Sequence, residues 1–322
     1  SLVSSFPADA TSDLWMSRTT TGPLYAFYRQ YCLRSTDFGV TWTTVGSTAS
    51  PTDQAVLMGS EAGAPTLYLA ASVSNQWRLY RSLDAGGTWQ LRSSISDFFG
   101  TLGTSIQNPD LVFTGGLEAF RSTDGGSSWT CMNSWWEYYD LPDSKLHADI
   151  FGLDCWMQSG QEVFYFDTDG GSYVSTDAGL TVNNISEQTL NISQYYGILT
   201  SVNDPGLVAA GAQDQGWQNS NPGLGGPPYQ FTQVISGDYG HPTSSTHTLN
   251  MVYSVYPGFT LLQENETGPP VLQLIDFPPE TQGVTWMPFI LADPDDPDVY
   301  YFCARHIWRC RRISGADYAE TM

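Results

Sequence analysis

Positive charge is what this sequence has least of. Only 12 of its 322 residues are lysine or arginine, against 33 aspartates and glutamates, and Lys145 is the single lysine. The net charge of −21 repels phosphate backbones and anionic membrane surfaces, so nucleic acid is disfavoured as a partner. A charge of this size also keeps a surface soluble, and that interpretation stays open beside an interaction role.

Long apolar runs are missing as well. None approaches the roughly 18 residues that a membrane-spanning helix needs, so membrane insertion is not expected. Charged residues make up only 14% of the chain, whereas 41% are hydrophobic and 14% aromatic. Disordered chains have the opposite balance, so a folded chain with a sizeable core is expected.

Cysteines are few and do not have the spacing of a metal site. None of the five forms a CxxC pair, and no spacing with histidine suggests zinc. Their odd number leaves at least one thiol free or paired with another chain. Two local disulfides are open, Cys131 with Cys155 and Cys303 with Cys310, which would leave Cys32 unpaired.

The most informative feature present is an internal repeat. Four segments align without gaps on the pattern S-x-D-x-G-x-[T/S]-[W/V], at residues 34–42, 81–89, 121–129 and 174–182. Their central aspartates are Asp37, Asp84, Asp124 and Asp177, at intervals of 47, 40 and 53 residues. Near-regular recurrence of this kind indicates a repeat architecture.

The chemistry of the repeat is that of a hairpin turn. The aspartate carboxylate can accept hydrogen bonds from the backbone N–H groups that follow it, and the Ser and Thr hydroxyls can close the same loop. The glycine permits a positive φ. Trp42, Trp89 and Trp129 then begin the next strand and bury a large ring. Strand-like runs precede each copy, so each is predicted to join two antiparallel strands.

These segments resemble the Asp-box, or BNR, repeat of sialidases, sortilin-type receptors, xyloglucan hydrolases and a group of uncharacterised secreted propellers. The resemblance implies four-stranded blades with the motif on the turn between the third and fourth strands, where its role is structural. A period near 45 residues then gives about seven blades. The sequence therefore predicts an all-β fold, with residues 1–322 forming one β-propeller domain of about seven four-stranded antiparallel blades.

The later blades lack the motif and are predicted from strand-like runs. These runs occupy residues 207–212, 251–258, 299–303 and 307–312. Two interpretations of the chain ends stay open. Residues 1–7 complete the last blade, or the chain is a fragment of a longer secreted protein.

Residues 147–240 resemble the uncharacterised secreted propellers more closely, through His147-x-Asp149, Gln213-Asp214 and Asp238. The second histidine of the family's H-x-D-x-H is absent, which weakens a transition-metal site. Because propeller geometry gathers blade ends around a channel, these five residues are candidates for a polar or ion site. Ca²⁺ suits oxygen ligands. In the alternative interpretation they satisfy buried backbone groups at strand ends.

An aromatic run, Trp135-Trp136-Glu-Tyr138-Tyr139, lies in the long interval between the third and fourth repeats. Clustered aromatics on a loop can stack on sugar rings or anchor a protein partner. The other interpretation is a loop that folds its own rings onto the blade edge. Asp167 and Asp169 resemble a catalytic carboxylate pair, but Asp-Gly is a standard hairpin turn, which is the favoured interpretation.

Three sequons, at Asn184, Asn191 and Asn265, are consistent with N-glycosylation and with a secreted or cell-surface protein. The absence of an initial Met is consistent with a leader that has been removed.

The favoured function is a non-enzymatic extracellular binding or scaffold module, whose partner is a protein, a glycan or another copy of the chain. It requires no cofactor. The alternative is a glycoside hydrolase, as in some Asp-box propellers. Sialidases of that kind hold a substrate carboxylate with three arginines, but Arg34, Arg81 and Arg121 occupy equivalent positions beside the repeats. A structural subunit of a surface assembly is a third hypothesis.

Overall fold

The computed structural model describes residues 12–17, 22–62, 65–186, 193–221, 230–264, 271–279, 281, 286–313 and 316–321. The chain divides into two compact units, Ser1–Asn191 and Ile192–Met322.

Four antiparallel sheets, each of four consecutive strands, are described in the first unit. They are sheet 1 (β1 Ser12–Met16, β2 Leu24–Tyr28, β3 Tyr31–Ser35, β4 Thr43–Ser47), sheet 2 (β5 Gln54–Ser60, β6 Thr66–Val73, β7 Gln76–Ser82, β8 Gln90–Ile95), sheet 3 (β9 Thr101–Thr104, β10 Val112–Gly115, β11 Ala119–Ser122, β12 Thr130–Cys131) and sheet 4 (β13 Ile150–Gln158, β14 Gln161–Thr168, β15 Gly171–Ser175, β16 Asn183–Asn184). A 3-10 helix, Trp135–Tyr139, lies between β12 and β13.

Three further sheets of the same design are described in the second unit. They are sheet 5 (β17 Tyr195–Thr200, β18 Val208–Ala212, β19 Gly216–Asn221, β20 Gln230–Ile235), sheet 6 (β21 Gly240–Thr243, β22 Met251–Tyr256, β23 Phe259–Glu264, β24 Val271–Asp276) and sheet 7 (β25 Phe289–Ala292, β26 Val299–Cys303, β27 Ile307–Ile313, β28 Ala316–Thr321).

The fold class predicted from the sequence is confirmed. Seven four-stranded antiparallel sheets are the blades expected of a seven-bladed β-propeller. The strands predicted without the repeat are present as β18, β22, β26 and β27. In the last blade the fourth strand is Ala316–Thr321, whereas one expectation from the sequence assigned residues 1–7 to this blade. Residues 1–7 themselves lie outside the described part of the chain.

Burial within each unit follows strand position. The second strand of sheet 2, β6, is buried from Thr66 to Ser72, because it is paired on both sides and covered on both faces. The outer strand β4 is exposed or half-buried throughout. Apolar clusters fill the spaces between successive sheets. One cluster joins sheets 3 and 4. In it the centroid of the Phe113 ring lies 5.3 Å from that of Phe164 and 5.6 Å from that of Phe166.

The two predicted disulfides are wrong, since none of the five cysteines, all of which lie in the described residues, forms a disulfide bond. In sheet 7, Cys310 lies opposite Tyr300 and Cys303 lies opposite Ile307. Side chains alternate between faces along a strand, so residues 300 and 303 point to opposite faces, and the two thiols do as well.

The other pair is separated by the order of the strands. Cys131 is on β12, at one edge of sheet 3, whereas Cys155 is on β13, which lies against β9 at the opposite edge of that sheet. The Cys131 sulfur instead lies 3.0 Å from the Asn133 carbonyl and 3.3 Å from the Glu118 carboxylate, which share its single S–H donor.

The structure also argues against glycosylation of Asn184. Its side chain is only 8% exposed, and its amide nitrogen donates to the Pro142 carbonyl at 3.4 Å. Its amide oxygen accepts from the Ser186 N–H at 2.8 Å, so the sequon forms a closed local turn. Asn191 and Asn265 lie outside the described residues.

Candidate functional site

The four repeat loops, residues 35–42, 82–89, 122–129 and 175–182, connect the third strand to the fourth in sheets 1 to 4. In the first loop, the Ser35 hydroxyl donates to Asp37 at 2.8 Å and accepts from the Gly39 N–H at 2.8 Å. The Thr41 N–H and hydroxyl donate to the two Asp37 oxygens at 2.8 and 2.6 Å. The other three loops repeat these four contacts.

Each loop closes because two successive residues adopt a positive φ. In the first loop these are Phe38 at 57° and Gly39 at 84°. The residue that ends each later loop packs onto an apolar cluster that includes the preceding sheet, as Trp89, Trp129 and Val182 do. The loops are therefore turns and contacts between blades at once.

The loop carboxylates make the fold sensitive to acid. Hydrogen bonds from the Thr41 hydroxyl and N–H, and then from the Ser35 hydroxyl, lower the pKa of Asp37 to about 2. The equivalent hydrogen bonds hold the pKa of Asp124 well below its usual range. Because the pKa is lower in the folded state, this stabilisation is complete above the unfolded-state pKa of about 4 and is lost as the pH falls toward 2.

We therefore expect the thermal unfolding midpoint of the wild-type protein to fall between pH 4 and pH 2. The Asp37→Asn variant should unfold at a lower temperature at pH 7, because it lacks the charged acceptor. Its midpoint should also fall less between pH 4 and pH 2. Differential scanning fluorimetry across that range, with Asp295→Asn as an exposed carboxylate control, measures both effects. An equal fall of the unfolding midpoint between pH 4 and pH 2 in the wild-type protein, Asp37→Asn and Asp295→Asn would contradict the role of the Asp37 carboxylate in acid sensitivity.

Two of the arginines beside the repeats hold neighbouring loops. Arg81 forms an ion pair of 2.6 Å with Asp110, donates to the Pro109 carbonyl at 3.1 Å, and lies over the Tyr68 ring. Arg121 donates to the Ala178 carbonyl of the fourth loop at 2.6 Å. Both guanidinium groups therefore serve contacts between blades, which weakens a sialidase-like carboxylate site at these positions.

His147 and Asp149 lie in the segment that leads into β13. The His147 ring is 4% exposed, and its Nδ1 lies 3.0 Å from the Ala148 carbonyl, to which it must donate. The ring contacts the edge of Tyr138, with centroids 4.6 Å apart, and packs so closely on Gly170 that a Cβ there would lie 2.4 Å from His147 Cγ. For His147 these contacts favour the structural interpretation.

Asp149 is brought beside Asp169 in the same unit, with carboxylate oxygens within 4.8 Å. Asp149 has a φ of 63° and donates its N–H to Leu117. Asp169 lies in the β14–β15 hairpin turn, and Asp167 accepts from the Ser172 hydroxyl at 2.6 Å. Two carboxylates supply only part of the six to eight oxygen ligands that Ca²⁺ takes, so the calcium site stays a prediction.

The candidates of the second unit, Gln213, Asp214 and Asp238, lie at the β18–β19 turn and just before β21. The Asp214 N–H donates to the Asp238 carboxylate at 3.1 Å, and the Gly237 N–H donates to the Asp214 carbonyl at 3.2 Å. The Gln213 N–H donates to the Gln194 carbonyl. Burial raises the pKa of the Tyr256 hydroxyl, and the Asp238 and Asp214 carboxylates raise it further. Within this unit the structure thus brings Asp214 and Asp238 together.

The predicted aromatic loop is the 3-10 helix Trp135–Tyr139. Ser134 and Glu137 form a capping box at its start, and Lys145 pairs with Glu137 at 2.5 Å. Tyr138 points inward onto the apolar cluster of sheets 3 and 4. The other three rings remain exposed and contact one another edge to face around Trp135, with Trp136 57% exposed. We call Trp135, Trp136 and Tyr139 the aromatic cluster.

Several solved structures have a similar course of the chain. The GH74 enzyme of Niastella koreensis is 16% identical over 98% of this chain and 54% of that chain, with a TM-score of 0.43. The GH74 xyloglucanase of Xanthomonas campestris is 16% identical over 96% of this chain and 53% of that chain, with a TM-score of 0.39. YCF48 of Cyanidioschyzon merolae is 11% identical over 95% of this chain and 97% of that chain, with a TM-score of 0.39. The chain spans about half the length of the two GH74 proteins. At identities this low, the similarity shows neither an activity nor a partner for this chain.

No protein-family model and no curated protein matches the chain. Among the described residues, no helix is long and apolar enough to cross a membrane.

Sequence reasoning missed two features of the first unit. Phe99 and Phe151 form an exposed stacked pair, with ring centroids 5.8 Å apart. Glu162 accepts hydrogen bonds from three consecutive residues, Ser105, Ile106 and Gln107. Neither feature belongs to a motif, and each joins segments about 50 residues apart, so no local signal could have revealed it.

Proposed function

We propose that this chain is an extracellular, non-enzymatic binding propeller that recognises a protein or glycan partner through its aromatic cluster. The observation that carries the proposal is the exposure of Trp135, Trp136 and Tyr139 on a helix whose other aromatic ring is anchored in the core. An isolated exposed ring is common on protein surfaces, but here Trp136 and Tyr139 both contact Trp135, so the three rings form a contiguous apolar surface.

The cluster is held in place before any partner binds. The capping box of Ser134 and Glu137 fixes the start of the helix, and the Trp135 N–H also donates to the Glu118 carboxylate at 3.2 Å. Tyr138 anchors the middle of the helix through the buried His147 ring. A rigid aromatic surface loses little conformational entropy on binding, and tryptophan and tyrosine dominate binding energy in protein interfaces.

The repeat loops support assignment of the chain to the Asp-box propellers, because all four copies share one hydrogen-bond arrangement. That group includes many secreted proteins, which supports an extracellular location. The net charge of −21 favours protein or glycan partners over nucleic acid. The engagement of Arg81 and Arg121 between blades is why a hydrolase is not proposed.

The test measures binding of the purified protein to an array of glycans and of peptides from extracellular proteins. We expect a ligand whose affinity falls at least about tenfold in the Trp136→Ala variant, as for a binding hot spot. Trp286→Ala is the matched control, because Trp286 is also exposed, at 65%, and lies in the second unit. Isothermal titration calorimetry of both variants against the same ligand gives the ratio.

Loss of affinity in both variants, or in neither, would contradict a role for the aromatic cluster. Self-association is measured separately by sedimentation equilibrium. A wild-type oligomer that dissociates in Trp136→Ala but not in Trp286→Ala would identify another copy of the chain as the partner.

A further inference from the structure

A second exposed aromatic surface lies on the first unit, apart from the residues of the aromatic cluster. Phe99 precedes β9 and Phe151 lies near the start of β13, and these two strands lie side by side. The rings are stacked at an interplanar angle of 23°, and they remain 47% and 58% exposed. We call this pair the aromatic shelf.

A β-bulge in β13 determines the position of Phe151 in the shelf. Ile150 pairs with Thr168 and Gly152 with Asp167, so Phe151 is the extra residue between them. A bulge redirects the side chain of its extra residue, and bulges are frequent beside functional sites. Counted back from the buried Leu153 and Cys155, regular alternation along β13 would bury Phe151, whereas here Ile150 is fully buried and Phe151 points outward.

The β10–β11 turn fixes both halves of the shelf. The Phe99 N–H donates to the Gly115 carbonyl at 2.9 Å, and the Ile150 N–H donates to the Gly116 carbonyl at 2.8 Å. The Asp97 carboxylate accepts from the Leu117 and Glu118 N–H groups at 3.0 and 3.1 Å, which makes the turn rigid. The shelf is therefore an ordered surface and not the tip of a loose loop.

Negative charge lies beside the shelf. Asp149 is two residues before Phe151, and its N–H donates to the Leu117 carbonyl of the same turn. The carboxylates of Asp149 and Asp169 approach within 4.8 Å, and both side chains are half-buried. Two carboxylates this close raise the local negative potential, which the net charge of −21 strengthens.

We propose that the aromatic shelf and the Asp149–Asp169 carboxylates form a docking site for an arginine-bearing segment of a partner protein. A guanidinium group is planar and weakly hydrated, so it stacks on aromatic faces while its N–H groups donate to carboxylates. A neutral sugar would use the rings but not the charges. A small cation would use the charges but not the rings. Arginine uses both.

This site goes beyond the proposed function, because it shares no residue with the aromatic cluster and specifies the chemistry of the partner. The two can fail separately. Loss of a ligand in Trp136→Ala tests the aromatic cluster, whereas the variants below leave that cluster intact.

The test uses fluorescence anisotropy of a fluorescein-labelled tetra-arginine peptide, with EDTA present and about 150 mM salt to screen the long-range field. The shelf variant is Phe99→Ala with Phe151→Ala. The charge variant is Asp149→Asn with Asp169→Asn, since asparagine tolerates the positive φ of Asp149 and Asn-Gly retains the hairpin turn. The control removes the same charge at two exposed sites of the second unit, Asp276→Asn with Asp295→Asn. Circular dichroism checks that each variant is folded.

We expect both the shelf variant and the charge variant to bind at least about tenfold more weakly, and the control to change affinity by about twofold or less. A tetra-citrulline peptide, which keeps the shape of arginine but not its charge, should not bind measurably. Spermine, which carries charge without a planar group, should bind at least about tenfold more weakly than the arginine peptide. An unchanged shelf variant, a charge variant no weaker than the control, or equal binding of spermine would each overturn the proposal.

Discussion

Replacing Glu162 by alanine is expected to lower the free energy of unfolding of the first unit by about 3 to 5 kcal/mol. Its carboxylate, on β14 of sheet 4, accepts from the Ile106 and Gln107 N–H groups at 2.6 and 2.8 Å and from the Ser105 hydroxyl at 2.8 and 2.9 Å. Those donors follow β9 of sheet 3. Alanine would leave the part-buried Ser105 and Ile106 donors without their acceptor at a contact between two blades, whereas the exposed Gln107 N–H could donate to water.

The same segment reaches a third sheet, which enlarges the effect. The Ile106 carbonyl accepts from the Glu61 N–H at 3.1 Å and from the Ser60 hydroxyl at 3.2 Å. Glu162 thus holds a segment that also ties sheet 3 to sheet 2. Loss of the carboxylate removes the contact between sheets 3 and 4 directly. It should also weaken the contact between sheets 2 and 3, because the same segment makes both.

Urea unfolding followed by tryptophan fluorescence and circular dichroism measures the change. Glu162→Gln keeps one acceptor oxygen and should fall between the wild-type protein and Glu162→Ala. Gln161→Ala is the neighbouring control, because the Gln161 amide makes a single exposed hydrogen bond to Thr176, and it should cost less than about 1 kcal/mol. If the two units unfold separately, the effect should be confined to one transition. A Glu162→Ala loss no larger than that of Gln161→Ala would contradict this role.

The sequence predicted those parts of the fold whose chemistry is local. Each repeat contains its own donors, acceptor and glycine within eight residues, so its turn could be inferred without knowledge of any partner strand. Runs such as Met251–Tyr256 were recognisable because aromatic and β-branched residues favour a buried strand. The number of blades followed from the spacing of these signals.

The candidate site could be predicted only in part, because its decisive features depend on register. Exposure of Phe151 results from a bulge, which is a property of β13 and β14 together. Cys303 and Cys310 of sheet 7 form no disulfide because they point to opposite faces, and this can be known only from the pairing of Cys310 with Tyr300. The aromatic run is recognisable in the sequence, but its division into half-buried Tyr138 and exposed Trp136 depends on how the helix docks.

The glycine of the second, third and fourth repeats has a second role that the motif alone does not reveal. Beyond permitting a positive φ, it lies against a buried side chain of the preceding sheet. An added Cβ would lie 2.5 Å from Cys32 at Gly86, 2.1 Å from Leu79 at Gly126, and 2.7 Å from Phe113 at Gly179. The glycine of the motif thus leaves room for a side chain of the preceding blade, in addition to allowing the turn within its own blade.

The Gly126→Ala variant should therefore lose about 2 to 4 kcal/mol of stability. A φ of 82° costs an alanine roughly 1 kcal/mol, and the new methyl group would force Leu79, which is fully buried, out of its packed position. The adjacent Gly125→Ala is a closely matched control. Its φ is 69°, and the equivalent positions of two other loops already hold Ala85 and Ala178. Its Cβ would lie 2.4 Å from the Arg81 guanidinium and 3.2 Å from the Tyr68 hydroxyl, but it would not contact Leu79.

Urea denaturation of the two variants separates strain within the turn from loss of space between blades. Gly125→Ala carries the cost of the positive φ and of a shift of the Arg81 side chain, so it should lose about 1 to 2 kcal/mol. The additional loss in Gly126→Ala then measures the contact with Leu79. A second substitution, Leu79→Ala, would remove the obstructing methyl groups, so in that background the Gly126→Ala penalty should shrink toward that of Gly125→Ala. Equal penalties for Gly126→Ala in the two backgrounds would show that the glycine is needed only for its own turn and that the contact between blades contributes nothing.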